Sequence, residues 1–383
     1  MRRLIPRSLA HRNLIIKVVA ALTVLCLIPP VAKAQLVPVL EPPPFNTNTH
    51  EVTTLFFLDL SHGWVVVEDH DRQQFRLFRT DDGGIRWKRW QIPSGVFRVF
   101  FVDPQLGWAL KLVQGKAPDD QAFHLLRTDD GGKSWKDTSS KPIIDSRAAW
   151  HGSAREFAFV DSRRGWVIGA GPPVNSQLVA LILQASDGGR SVHRVVDIPK
   201  SLWACSGIFA SRQAGVWVYG EGYVIHSNDF GATWEPASEL KPLVVGDPFL
   251  PRSILFRSSG RGWLSGTSMK AVIWGTEDFG KHWRKEMEMG DYLSFDNLSS
   301  WDDDHVCATM NSDLFCTANG GSTWQQKKDV LITSPGAGLI TKLVILPSGR
   351  GWFLCQGGWL YQTDDAGRTW VALDLLDQRN PPN

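Results

Sequence analysis

Acidic side chains recurring beside glycine are the first feature of this sequence with the makings of chemistry. Asp82, Asp130, Asp187, Asp229, Asp278 and Asp365, with Asn319 in the same place of a sixth unit, each stand two residues before a glycine. Asp-x-Gly turns also occur in calcium loops, but calcium needs several converging oxygen ligands and a bidentate acid downstream. No copy supplies these. Their expected work is structural: a hydroxyl at the first position and a carboxylate two residues on tie a turn through its own main chain. No metal ion or cofactor is implied.

Asp302-Asp303-Asp304-His305 is the densest cluster of ligand-type residues. It falls in a turn between two strands, so it reads as a solvated acidic loop, with metal binding as the alternative. No His-x-x-x-His or Cys-x-x-Cys spacing occurs. Arg164, Arg261 and Arg350 stand two residues before Trp166, Trp263 and Trp352, and Arg163 and Arg212 lie near the same register. Equal register in a ring means equal height on one face. These arginines therefore either answer the acids across the rim or form a basic patch for a partner. Cys307 and Cys316 face each other if Asn311-Ser312 is a two-residue turn, which suits a disulfide.

The elements that position these groups follow from a repeat. An eight-residue box ends at Trp87, Trp135, Val192, Trp234, Trp283, Trp324 and Trp370, recurring about every 47 residues, a period typical of propellers and solenoids. A second motif, usually Gly-Trp, precedes it at Trp64, Trp108, Trp166, Trp217, Trp263 and Trp352, with Val306 read in the same place of the sixth unit. The last unit shows four short strands: Thr341 to Leu346, Gly351 to Gln356, Trp359 to Thr363 after a Gly357-Gly358 turn, and a fourth from Trp370. Seven such units without helical periodicity predict an all-β, seven-bladed β-propeller of four-stranded antiparallel sheets. The box tryptophans Trp87, Trp135, Trp234, Trp283, Trp324 and Trp370 are expected to wedge between sheets. The third unit, with Val192 for Trp, and the sixth, with Asn319 for Asp, are expected to be the least firmly tied.

These boxes resemble the Asp-box (BNR) repeats of sialidase-like propellers. The pairing of Gly-Trp-x-Val with Thr-x-Asp-Gly-Gly-x-Thr-Trp is most similar to the Ycf48-like photosystem II stability/assembly factors, over roughly residues 51–376. That resemblance implies structural boxes, a non-catalytic propeller and an arginine patch that engages a protein client. Sialidase chemistry needs an arginine triad, a Tyr nucleophile with an acid, and an acid/base Asp. Here Gln91-Ile92-Pro93 lacks the family's Arg, and the four tyrosines (Tyr219, Tyr223, Tyr292, Tyr361) fall in or beside strands.

The opposite face is irregular, with long segments at Glu68 to Gln74, Leu112 to Gln121 and Ala170 to Gln177, against a two-residue turn at Glu221-Gly222. Function favours such loops. The links at Lys136 to Ser153 and Gln325 to Ala337 add to it, and Trp150 and Trp203 are candidate anchors there.

Of the 383 residues, 1–34 read as a signal peptide: Arg2, Arg3, Arg7, Arg12, Lys17 and Lys33 with no acid, an apolar run from Val18 to Ile28, then Ala32-Lys33-Ala34. That run is too short to span a bilayer, so no stable membrane span is expected in the mature chain. Residues 35–50 form a Pro-rich leader and 377–383 a tail. Beyond residue 34 a small acidic excess argues against nucleic acid. The expected protein is exported, periplasmic or extracellular, or lumenal in a phototroph. It binds a protein client and does no chemistry. The alternative is a carbohydrate-active enzyme, glycoside hydrolase or sialidase-like, with a glycan in the cleft at the propeller's mouth.

Overall fold

Each repeat folds into one antiparallel sheet whose strands keep chain order. In the first they are His50–Phe57, Gly63–Asp69, Gln74–Thr80 and Lys88–Ile92. The second strand of each unit is apolar on both faces because sheets cover it from either side; the fourth, at the rim, is largely exposed. Seven sheets make a seven-bladed β-propeller. The computed structural model describes residues 50–373, apart from 73, 118–119, 146–152, 172–178, 196–204, 238–239, 241–248, 292, 312, 328–339 and 356–358. The signal-peptide, leader and tail readings, Trp150, Trp203 and the Gly357-Gly358 turn lie outside the described residues. Six sheets have four strands. The second has a fifth, Ile144–Asp145, pairing with Gln121–Thr128 inside the stretch that the sequence presented as a bare link.

The box tryptophans do meet a neighbouring blade, Trp87 edge-on to Trp352 at 6.2 Å and Trp283 edge-on to Trp217 at 6.0 Å, but the deepest burial belongs to the tryptophans of the second strands. Trp64, Trp108, Trp166, Trp217, Trp263 and Trp352 are all 0% exposed. Trp87, Trp135, Trp234, Trp283 and Trp324 are only half-buried, and Trp370 alone among the box tryptophans is buried. The reason is position: the second strand has a sheet on each side, whereas the box lies at the rim. Each second-strand indole reaches into the next blade. Trp64 stacks on Phe101 at 3.8 Å, and Trp108 on Phe159 at 3.7 Å. The glycine before the tryptophan is required by close approach. A Cβ at Gly63 would meet the Phe57 ring at 2.6 Å, and one at Gly165 the Phe159 ring at 2.6 Å.

Strand pairing corrects the alignment of the sixth unit. Gly63 pairs with Thr80 and Trp64 with Arg79, whereas Val306 pairs with Thr317 and Cys307 with Cys316. Cys307, not Val306, therefore holds the tryptophan's place, and Cys316 holds that of Arg79. The structure joins the two cysteines, with S–S 2.08 Å. A covalent cross-strand bond stands where the first blade has an indole with a guanidinium over it. Reducing this bond is expected to lower stability by about 2–3 kcal/mol, from the loop-closure entropy of a ten-residue loop. Urea midpoints of the Cys307→Ser/Cys316→Ser double variant and of wild type with and without reductant check this; unchanged midpoints contradict it.

Among the described residues no strand is exchanged between the first and last units, and their contact is made by side chains. Trp352 of the seventh blade stacks on Phe57 of the first at 4.6 Å and meets Trp87 edge-on at 6.2 Å. Val52, Leu55, Val65, Phe78, Leu354 and Leu360 complete that seam.

Candidate functional site

The boxes turn inward on themselves. Asp130 Oδ1 accepts from the Thr128 hydroxyl at 2.8 Å and from the Ser134 N–H at 2.9 Å, while the Ser134 hydroxyl donates to Oδ2 at 2.6 Å. The Thr128 hydroxyl in turn accepts from Gly132 N–H at 2.9 Å. The same set forms around Asp82, Asp229, Asp278 and Asp365. Asn319 forms it too, its Oδ1 accepting from Thr317 and the Thr323 N–H and its Nδ2 donating to Thr323. The sixth box is thus as fully bonded as the others, contrary to expectation. The third is not: Ala185 has no hydroxyl, and Asp187, with φ 51°, takes its hydrogen bond from Arg163 at 3.2 Å.

Partial burial pulls the Asp130 pKa up, but the hydrogen bonds from Ser134 and Thr128 outweigh it and hold it down to about 2. Thr233 and Ser227 bring Asp229 to about 2, and His282 and Thr276, against some burial, do the same for Asp278. A carboxylate held below the ordinary value of about 3.9 adds stability that is complete above that pH and lost as pH falls toward 2. Acid should therefore lower the urea midpoint most steeply between about pH 4 and 2. Replacing Asp130, Asp229 and Asp278 together by Asn should flatten that dependence; an unchanged slope would exclude this account.

The acidic cluster is one case of a recurring turn. Asp302 Oδ1 accepts from the N–H groups of Asp304 and His305 at 2.9 and 2.7 Å, as Asp59, Asp103 and Asp161 do for their own turns. Asp303 takes a hydrogen bond from Ser259 at 2.9 Å. Among the described residues no group of three or more His, Cys, Asp or Glu is placed to hold a metal.

The five arginines divide. Arg261 is 8% exposed and spent between blades five and six: it pairs with Glu286 at 2.8 Å and Glu277 at 2.6 Å, donates to the Gly320 carbonyl and lies over Trp263. A partner cannot reach it, which corrects its place in the candidate patch. Arg350 pairs with Asp364 at 2.6 Å and also reaches the Gly83 carbonyl across the closing seam at 3.4 Å. Arg164 pairs with Asp161 at 2.8 Å and covers the Phe230 ring at 3.9 Å. Arg163 and Arg212 remain exposed, the first beside Asp187 and the second donating to the Val160 carbonyl at 3.3 Å. Arg163 answers the turn-tying acid of its box, Asp187, whereas Arg261 and Arg350 pair with the acid one position earlier, Glu277 and Asp364. In those two boxes the turn-tying carboxylates, Asp278 and Asp365, are already filled from within.

A site that the motif search missed lies at the centre. The inner strands His50–Phe57, Val96–Phe101, Ser153–Phe159, Cys205–Ser211, Leu250–Phe256, Leu298–Ser300 and Ile340–Ile345 surround a channel of about 510 Å³. Six of these strands carry a bulge at the same register, followed by Thr54, Arg98, Glu156, Gly207, Ser253 and Lys342. These residues form a belt, each standing ten residues before the second-strand tryptophan of its unit, a spacing legible in the sequence. Its members link blades: Thr54 donates to the Phe97 carbonyl at 2.8 Å, and Arg98 to the Thr53 carbonyl at 2.9 Å and Glu156 at 2.7 Å. Gly207 has no Cβ because one would collide with Tyr219, whose hydroxyl takes that place and donates to the Arg252 carbonyl at 3.1 Å. Burial and the Glu156 charge push the Tyr219 phenol well above its usual range.

Fold and site together define a seven-bladed β-propeller with bonded rim turns and a charged central channel. No protein-family model and no curated protein matches the sequence. Solved structures do. The chain is similar to YCF48 bound to a D1 peptide, with TM-score 0.55, 21% identity, and 82% of this chain and 92% of that chain covered. It is also similar to YCF48 from Cyanidioschyzon merolae, with TM-score 0.53, 16% identity and 82% and 95% covered. A GH74 enzyme from Niastella koreensis aligns at TM-score 0.44 and 11% identity, over 84% of this chain and 65% of that chain. At these identities the likeness is one of fold.

Proposed function

We propose that this chain is an exported, non-catalytic propeller that binds a segment of a protein partner, as an assembly or stability factor of the photosystem II type does. One observation favours binding over hydrolysis. Glycosidases ordinarily work with two carboxylates flanking the scissile bond. Among the described residues the lining of the channel includes one, Glu156, held at 2.7 Å by Arg98. The box acids are likewise occupied by their own turns. Likeness to a propeller described as bound to a D1 peptide supports a peptide as the ligand class. Of the five candidate arginines, Arg163 and Arg212 are the exposed ones and would meet an acidic segment.

Affinity capture from the native host tests this. A stoichiometric protein is expected to co-purify, and charge reversal by Arg163→Glu and Arg212→Glu is expected to cut its recovery about tenfold or more, as loss of charge pairing at an interface does. Release of reducing sugar from a glycan panel by the pure protein would overturn the binding reading in favour of the glycoside hydrolase.

A further inference from the structure

Lys342 is the member of the inner belt that the fold leaves uncommitted. Thr54, Arg98 and Glu156 are each hydrogen-bonded to a neighbouring blade, and Ser253 Oγ accepts from Leu298 N–H at 3.3 Å. Among the described residues the Lys342 ammonium has no hydrogen bond or ion pair. It is open to the channel, yet burial lowers its pKa; Glu156 pulls it back up and Arg98 pushes it further down. Glu156 cannot neutralise it as well, because its carboxylate already answers Arg98 at 2.7 Å. The channel lining therefore holds one surplus positive charge.

Around that charge the wall mixes aromatic and aliphatic side chains with the polar groups of Thr54, Ser253 and Thr341. Phe56, Phe100, Phe157, Phe209, Ile254 and Leu298 line the same space. Phe56 and Phe100 lie 5.2 Å apart, and Phe100 and Phe157 6.0 Å apart, in a tilted chain of rings. Lys342 is exposed to the channel and has no counter-ion of its own, so an anion that enters the channel finds a cation to pair with. The volume, about 510 Å³, is within the range of small-molecule sites, roughly 300–1,000 Å³, which are mostly apolar with a few placed polar groups.

We infer that the central channel is a binding site for a small monoanionic aryl carboxylate, with its carboxylate on Lys342 and its ring against the phenylalanines. A single charge matches the single surplus cation, and a second carboxylate would face Glu156. The site is separate from the rim, so it stands or falls independently of the partner reading.

Calorimetric or NMR titration with 3-phenylpropionate, its neutral amide and the dianion phenylsuccinate tests the inference on the whole protein. Saturable binding of 3-phenylpropionate is expected, with both other compounds about tenfold weaker or more. Lys342→Met should weaken 3-phenylpropionate about tenfold or more and leave the amide unchanged. Lys342→Arg should restore binding to within a few-fold. Ser253→Trp, which fills the channel from another blade, should abolish binding without touching the cation. Circular dichroism and the melting midpoint establish that each variant is folded. Equal affinity for acid and amide, no effect of Lys342→Met, or no saturable binding up to millimolar concentration overturns the site.

Discussion

Trp352→Ala is expected to cost about 3–5 kcal/mol of unfolding free energy, the range for deleting a fully buried indole, and to be worse than Trp108→Ala. Both indoles are 0% exposed. The difference lies in what else holds each seam. Blades two and three are consecutive in the chain, so a weakened contact between them is still held close by connectivity. Blades seven and one share no strand and are not consecutive. Their seam rests on the stack of Trp352 on Phe57, the edge contact with Trp87, the surrounding aliphatic cluster and the Arg350 hydrogen bond to the Gly83 carbonyl. Removing the indole strips the centre of that contact and invites local opening there before global unfolding. Urea midpoints for the two variants, with hydrogen exchange of strands His50–Phe57 and Gly351–Cys355, are the measurement. Equal losses, with no selective exchange at the closing seam, would show that closure does not depend on this residue.

Arg261→Met is expected to cost about 3–5 kcal/mol, while Arg261→Met combined with Glu286→Met recovers most of it. The Glu286 side chain is 2% exposed and meets Arg261 at 2.8 Å and the Trp263 indole N–H at 3.2 Å. Truncating the cation strands a buried carboxylate whose remaining cation, Arg284 at 3.3 Å, is half exposed. Breaking one side of a buried pair is much more damaging than replacing both sides by apolar groups of similar size. Four denaturation curves make the double-variant cycle. Additive losses would mean that the arginine acts through packing against Trp263 and the Gly320 carbonyl instead of through the acid.

The two predictions mark where reading along the chain succeeds and where it stops. Both tryptophan motifs are plain in the sequence, and both sets of indoles meet a neighbouring blade, but to very different depths. Linear spacing ranks Trp87 and Trp64 alike. Only the placement of a sheet on both sides of the second strand separates a buried indole from one at the rim. The sixth unit shows the same limit: Val306 looks like a substituted tryptophan by spacing, and strand register moves that role to Cys307. Ala185 was visible as a missing hydroxyl, yet Val192 and Asn319 drew attention because they changed the more conspicuous positions.

Local interactions determined what the sequence alone could settle. A hydroxyl, an acid and a glycine within five residues can satisfy one another inside a single turn, and an apolar run of five to seven residues between such turns makes a strand whatever its neighbours. That pattern, complete in five units and changed at one position in each of the other two, was enough for a propeller. Everything that depends on which blade meets which was left to the tertiary structure: the burial of Arg261, the closing stack at Trp352, and the channel where Arg98, Glu156 and Lys342 converge from three blades. Those residues are far apart in the chain and share no motif; they meet because circular closure sets equal register on every inner strand at one height around a common axis.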